Sequence, residues 1–202
     1  MKAIWKMDDQ WLEYTAVEDD SGLLLEQVLK ERLHISGRMI QRLTRNKGLF
    51  LNRKAPFLKK KVKNGDRIKV RIGDGTKKPH LPPIPLSLDL LFEDDALMVL
   101  NKQAGLMVHP VKEGQNHTLA HGIAFYRLQK GKSGFVRPVH RLDKETSGAI
   151  LFAGNGYIHR LLDQQLQEGT IKRSYYAVVA GHLGEPGEKG TINAPIARDP
   201  SH

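Results

Sequence analysis

His140-Arg141-Leu142-Asp143-Lys144-Glu145-Thr146-Ser147-Gly148 runs directly into Ala149-Ile150-Leu151-Phe152-Ala153. An apolar run of this length reads as a buried strand, and the charged stretch before it reads as a loop at the strand's edge. The loop holds one acid, Asp143, between two cations, Arg141 and Lys144. Nearby positive charge favours an ionised carboxylate. Charge arithmetic alone favours a solvated turn here over a reactive site.

Composition sets the outer limits. A chain of 202 residues builds one ordinary domain, or one small and one medium domain. Its hydrophobic content of 40% is low but adequate for a packed core. With no cysteine, disulfides, thiol nucleophiles and thiolate metal sites are excluded. The nine histidines include no His-Glu-x-x-His or comparable ligand spacing, so no metal centre is expected. Asp8 and Asp9 stand where a secretory signal needs an apolar core, and no apolar run is long enough to span a bilayer. No membrane partner is expected, and cytoplasm is the simplest compartment.

The net charge of +10 is unevenly spread. Residues 1–31 carry three Lys/Arg against eight Asp/Glu, residues 32–78 sixteen against two, and residues 79–202 thirteen against twelve. A basic excess concentrated in one segment is the footprint of a polyanion-binding surface. An anionic membrane is the competing partner, but no amphipathic helix with a broad Trp/Phe/Leu face accompanies the charge. Nucleic acid fits better.

Within that segment Ser21 is placed to cap a helix over Leu23 to Leu33, with Leu24, Leu25, Val28 and Leu29 as its apolar stripe. Ser36 is placed to cap a second helix over Gly37 to Lys47, ended by Gly48. Ile40 and Leu43 face a core, while Arg38, Arg42 and Arg45 share one side. Stacked like charges cost an isolated helix a few tenths of a kcal/mol per pair, and a row of phosphates would relieve it. Leu49-Phe50-Leu51 reads as a short strand and Asn52-Arg53-Lys54 as a turn. After Lys59-Lys60-Lys61 and the turn Asn64-Gly65-Asp66, the stretch Arg67-Ile68-Lys69-Val70-Arg71-Ile72 alternates strictly, with Ile68, Val70 and Ile72 inward. Candidate RNA contacts are Arg38, Arg42, Arg45, Lys47, Arg53, Lys59, Lys60 and Lys61. Gly73 to Ser87 holds four prolines and two glycines and reads as a hinge-capable tether.

Three segments carry a resemblance. His140-Arg141-Leu142-Asp143-x-x-Thr146-Ser147-Gly148 resembles the catalytic signature of the RluA-type (RluD-like) RNA pseudouridine synthases. Phe92 to Pro110 resembles that family's opening strand and the Asn-Lys-Pro-x-Gly turn after it, and Arg173-Ser174-Tyr175-Tyr176-Ala177 its basic-x-Tyr-x-Ala segment. Ser36, Ile40, Leu43, Gly48, Leu51-Asn52 and Gly65-Asp66-Arg67-Ile68 resemble the S-four-type RNA-binding domain. That match departs at Leu23-Leu24-Leu25 and at Ser36-Gly37-Arg38.

The resemblance implies an α+β chain. A small helix-pair-plus-sheet RNA-binding domain at 17–72 and a linker at 73–87 precede a mixed or antiparallel-sheet synthase domain at 88–202. It also implies the chemistry: the bond from uracil N1 to ribose C1′ breaks, the base turns, and C5 rejoins. Nothing is oxidised or hydrolysed, so no cofactor or metal is expected. Asp143 takes the carboxylate role, whether it attacks C1′, acts on the base or abstracts a ribose proton. Arg141 is expected to orient and ionise Asp143 and to fill the space of the flipped uridine. Tyr175 offers a face to support the base and a hydroxyl for proton transfer. Asn101, Lys102 and His109 are expected to shape the pocket or touch phosphate, and Thr146 and Ser147 to tie down the loop.

Family members continue past this chain's last residue, His202, through an Arg-Thr-His-Gln-Ile-Arg-like segment, so a fragment of a longer protein, its catalytic domain incomplete, is expected over an unusually short relative. The expected substrate is ribosomal RNA, the expected state a monomer. The competing reading is a non-catalytic RNA-binding or ribosome-associated factor. A carboxylate glycosidase is weaker, because only one convincing catalytic acid is visible where two are expected.

Overall fold

Arg67-Ile68-Lys69-Val70-Arg71 forms the strand its alternation requires, with Ile68 and Val70 fully buried. The computed structural model describes residues 4–8, 10–73, 80–132, 134–182, 184–185, 187–195 and 197. The chain divides into Met1–Ile171 and Lys172–His202. The described residues of the second unit form neither helix nor strand.

Among its described residues, the first unit contains two four-stranded antiparallel sheets and four α-helices. The first sheet takes the order β1–β2–β4–β3, from Ile4–Met7, Trp11–Thr15, Arg67–Arg71 and Leu49–Leu51. β1 and β2 precede residue 17, where the sequence reading began its domain, and β2 pairs with β4 along its length. Asn52 and Arg53 both have positive φ, with Leu51 and Lys54 exchanging two backbone hydrogen bonds across them. Two left-handed central residues are the signature of a tight hairpin turn.

Helix α1, Leu25–Gln27, continues into a wider turn at Val28–Arg32, later and shorter than expected. Ser21 does not cap it. The carbonyls of Lys60 and Leu58 accept from the amides of Leu25 and Glu26, so the loop carrying the lysine run satisfies the helix start. Ser21 Oγ instead accepts from the Asn64 amide. Helix α2, Gly37–Arg45, begins as expected, Ser36 Oγ accepting from Met39 N at 3.3 Å. At its end the left-handed residue is Lys47, at φ +49°, rather than Gly48. Gly48 N donates to Leu43 O at 2.8 Å. A Cβ on Gly48 would lie 2.8 Å from Leu43 Cδ2 and 3.2 Å from Arg71 Cβ, so a larger residue there has to displace the Leu43 side chain.

The second sheet takes the order β5–β6–β8–β7, from Leu90–Glu93, Leu97–Lys102, Gly148–Ala153 and Arg137–Pro138. Ile150, Phe152, Met98 and Leu100 are buried against helix α3, Leu119–Gln129. Residues 74–79 of the expected tether lie outside the described residues. Leu81 and Leu86 of its later part, with Leu88 just beyond it, pack on the same core, and a Cβ on Gly122 would meet Leu86 at 2.7 Å. Helix α4, Gly156–Gln167, is capped by Asn155, whose side chain accepts from Tyr157 N and Ile158 N. Its Tyr157, Ile158 and Leu162 share an apolar cluster with Leu29, Leu33 and Ile35, and Tyr157 Oη donates to Leu33 O at 2.7 Å. No helix among the described residues is long and apolar enough to cross a membrane.

The core of the first sheet contains one carboxylate. Asp20 is fully buried and accepts from the Tyr14 hydroxyl, from Val17 N at 2.9 Å and from Arg32 Nε at 3.0 Å. Burial pushes this carboxyl up, but the Tyr14, Val17 and Arg32 hydrogen bonds outweigh it and hold it below its ordinary value. Burial and the Asp20 bond push Tyr14 up to about 12. A depressed carboxylate stabilises the fold above its unfolded value and loses that contribution as pH falls. Asp20→Asn is expected to cost at least about 2 kcal/mol at neutral pH. In urea titrations repeated below about pH 4, the wild-type midpoint should fall more steeply than the variant's. Parallel pH profiles would show that Asp20 is not the titrating group.

Candidate active site

The register of the second sheet places the site. Lys102, the last residue of β6, pairs with Gly148, the first of β8. The turn after β6 and the loop before β8 therefore meet at one end of the sheet. Gly148 has φ +121°, a conformation that side chains resist, and the chain enters β8 through it.

Lys102 is completely buried, and its ammonium donates to the carbonyls of Gln103 at 2.9 Å, Leu106 at 2.7 Å and Lys144 at 2.9 Å. An ammonium has three donors, and here all three are used on backbone. Gly105 N also donates to Lys144 O at 2.9 Å, so that one carbonyl ties the loop to the turn twice. Burial lowers the Lys102 pKa, and the carboxylates of Glu145 and Asp143 pull the other way. Of the two expected roles, shaping the pocket and touching phosphate, its position fits the first. On the other side of Asp143, Leu142 packs against the cluster of Met98, Leu100 and Phe152. Thr146 N donates to Asp143 O at 3.2 Å, closing the turn.

Asp143 is exposed between these two anchors. The arrangement presents an open carboxylate on a backbone held from both sides, which suits a group that must meet a substrate atom in a fixed place. Arg141 is exposed, and no ion pair or hydrogen bond joins it to Asp143 among the described residues. The expected orienting contact is thus not formed here. Tyr175 lies in the second unit, in backbone that is neither helix nor strand. Asn101 is tied to Asp89 through its side-chain amide at 2.9 Å.

The eight candidate RNA contacts are all exposed. Arg38, Arg42 and Arg45 line one groove together with Arg160 of α4. The Arg160 guanidinium donates to His34 O. Arg53 lines a second groove on the first sheet. The Arg160 contribution had no local signal in the sequence, because it depends on α4 packing beside α2.

The RNA pseudouridylate synthase family model matches residues 96–202, which include the loop, both its strands and the anchoring lysine. The chain belongs to this family. Among its relatives, the Bacillus subtilis (strain 168) protein described as uncharacterized RNA pseudouridine synthase YhcT is 40% identical over 191 residues, 95% of this chain and 62% of its own length. Ribosomal large subunit pseudouridine synthase D of Nitrosomonas europaea is 33% identical over 196 residues, 96% of this chain and 56% of its own length. The chain thus spans less than two thirds of the length of these relatives. A solved human chain, RNA Pseudouridylate Synthase Domain Containing 4, aligns with 41% of this chain and 30% of its own length at 24% identity. Its TM-score of 0.34 is too low to bear on the site.

Lys102→Met keeps the length of an apolar stem and removes all three donors. Lys144 O keeps the Gly105 amide, so Gln103 O and Leu106 O lose the ammonium donor. At roughly 1–3 kcal/mol for each unpaired carbonyl, a total loss of about 2 kcal/mol or more is expected by denaturant titration. Stability equal to wild type would mean that the loop is held by something else.

Proposed function

We propose that this chain is the RNA-binding and principal catalytic part of a pseudouridine synthase that isomerises specific uridines in large-subunit ribosomal RNA. The observation that carries the reading is Asp143, an exposed carboxylate between a packed leucine and a carbonyl fixed by a buried lysine. Family membership supplies the reaction class; the residue roles and the substrate are our inference.

In this reading the target uridine leaves its stack and enters beside the loop, with its C1′ near the Asp143 carboxylate. The carboxylate meets the electron-poor centre that forms as the bond to N1 weakens, either as nucleophile or by charge. Arg141 turns toward Asp143 or the vacated RNA space once RNA is bound. Tyr175 supports the free base and passes a proton. Neither a metal nor a redox cofactor enters the scheme.

Residues 17–72, with β1 and β2 completing their sheet, act as an S-four-type RNA-binding domain, 73–87 join it to the synthase domain, and 88–202 begin that domain. Arg38, Arg42, Arg45, Lys47, Arg53, Lys59, Lys60 and Lys61 neutralise phosphates. A monomer working on ribosomal RNA in the cytoplasm completes the proposal.

Two experiments test it, both on the complete protein. Tritium release from RNA labelled at uridine C5 reports the isomerisation directly. Asp143→Asn preserves size and hydrogen-bonding capacity and should lower release by at least about a thousandfold, with RNA affinity nearly intact. Release within about tenfold of wild type would remove Asp143 from the chemistry. Replacing Arg38, Arg42 and Arg45 together with Gln should weaken RNA binding and flatten its salt dependence. For single strands the slope of log K against log salt should fall by about 2 if all three meet phosphate. An unchanged slope would make the helix face a solvated one.

A further inference from the structure

The first sheet has two faces, and α2 covers only one. Ile40 and Leu43 of α2 share a core with Ile68, Val70, Leu12 and Tyr14. The alternate residues of each strand point away from that core. The register fixes them in rows: Lys6, Glu13, Lys69 and Phe50 across all four strands, and Trp11 beside Arg71 across two.

Trp11 and Phe50 lie with ring centroids 6.0 Å apart and planes inclined at 48°. Both are only partly buried. Lys69 Nζ is 5.1 Å and the Arg71 guanidinium carbon 4.9 Å from the centre of the Trp11 ring. Beside them an open groove of about 600 Å³ is lined by Lys6, Glu13, Phe50, Arg53, Arg67 and Lys69. Glu13 is the single acid in this set, and it pairs with Lys69 at 2.5 Å through two exposed side chains. Exposed pairs of this kind contribute little and exchange readily for another anion.

We propose that this outward face is a stacking platform for single-stranded RNA; Arg71 at its end also lines a small cavity with Arg42 of α2. This rests on the RNA-modifying reading proposed above. The chemistry selects the occupant. Bases stack on aromatic rings whatever their sequence, and cations beside the rings meet the phosphates that follow. A four-stranded sheet that carries aromatic side chains on its open face is a recurrent way of holding splayed bases. An acidic protein segment would satisfy the cations but leave the ring pair without a planar partner. A duplex would meet the cations and hide its bases. The platform therefore favours unpaired RNA, as would flank a uridine extruded for modification.

The test uses the full chain with two probes, a short uridine oligomer and an RNA duplex of equal length. With 5-iodouridine in the oligomer, irradiation should cross-link it to peptides containing Trp11 or Phe50. Trp11→Leu combined with Phe50→Leu should weaken oligomer binding roughly tenfold or more. Duplex binding should stay within about twofold, because duplex contacts are to phosphate. Urea unfolding checks the variant, and the cross-link decides the matter if the variant unfolds. Cross-links confined to residues 37–47 or to the Asp143 loop, or an unchanged oligomer affinity in a folded variant, overturn the platform. Oligomer binding that is lost on replacing Arg38, Arg42 and Arg45, yet indifferent to Trp11 and Phe50, overturns it while leaving the RNA reading in place. Failure of wild-type protein to bind either RNA overturns both.

Discussion

A buried ammonium is costly unless its charge is met, and Lys102 meets it with three carbonyls from two separate loops. Two of those carbonyls, Gln103 and Leu106, bracket the turn after β6. The third, Lys144, adjoins Asp143. The penalty of burying the charge thus becomes a constraint on the fold, because the ammonium is satisfied only when the turn and the loop stand in one arrangement. The antiparallel register, Lys102 opposite Gly148, brings them within reach. Gly105 and Leu142 reinforce it from either side.

The proposed function rests on the contrast between support and exposure. The backbone around Asp143 is fixed, while its carboxylate is open. The proposed reaction, which breaks and remakes a bond to one sugar carbon, calls for a charge held in register more than for a deep pocket in the unliganded protein. The basic surfaces lie elsewhere. The α2 arginines and Arg160 line one groove, and the Trp11–Phe50 face belongs to the other side of the first sheet. α4 connects these regions, burying Tyr157 against the carbonyl of Leu33 in the N-terminal part of the chain.

Much of this was legible where the signal is local. The Ala149–Ala153 strand, the Ser36 cap, the turn at Asn52-Arg53 and the alternation of β4 all rest on patterns within a few residues. Helix α3 was not assigned, because Leu119, Ala120, Ile123 and Ala124 are buried together with His121 and Arg127 and leave no polar stripe to set a period. The strands β1 and β2 were missed although Leu12 and Tyr14 alternate inward, since four-to-five-residue strands flanked by acids give a weak pattern. The start of α1 was misplaced because its amides are satisfied by carbonyls more than thirty residues away in sequence, at Leu58 and Lys60. The three carbonyl partners of Lys102 and the place of Arg160 beside α2 have no local signal for the same reason: they are tertiary. At the site itself the loop and Asp143 were visible from the motif, whereas the absence of an Arg141–Asp143 contact was not.

The central claim is that the Asp143 loop is locked before any RNA arrives. Amide hydrogen exchange on the RNA-free protein tests it most directly, read at Gly105 N, which donates to Lys144 O, and at Thr146 N, which donates to Asp143 O. A locked loop predicts slow exchange at both, close to that of the paired amides of β8, with opening only in larger unfolding events. Exchange at the rate of an unstructured, solvated loop would contradict it.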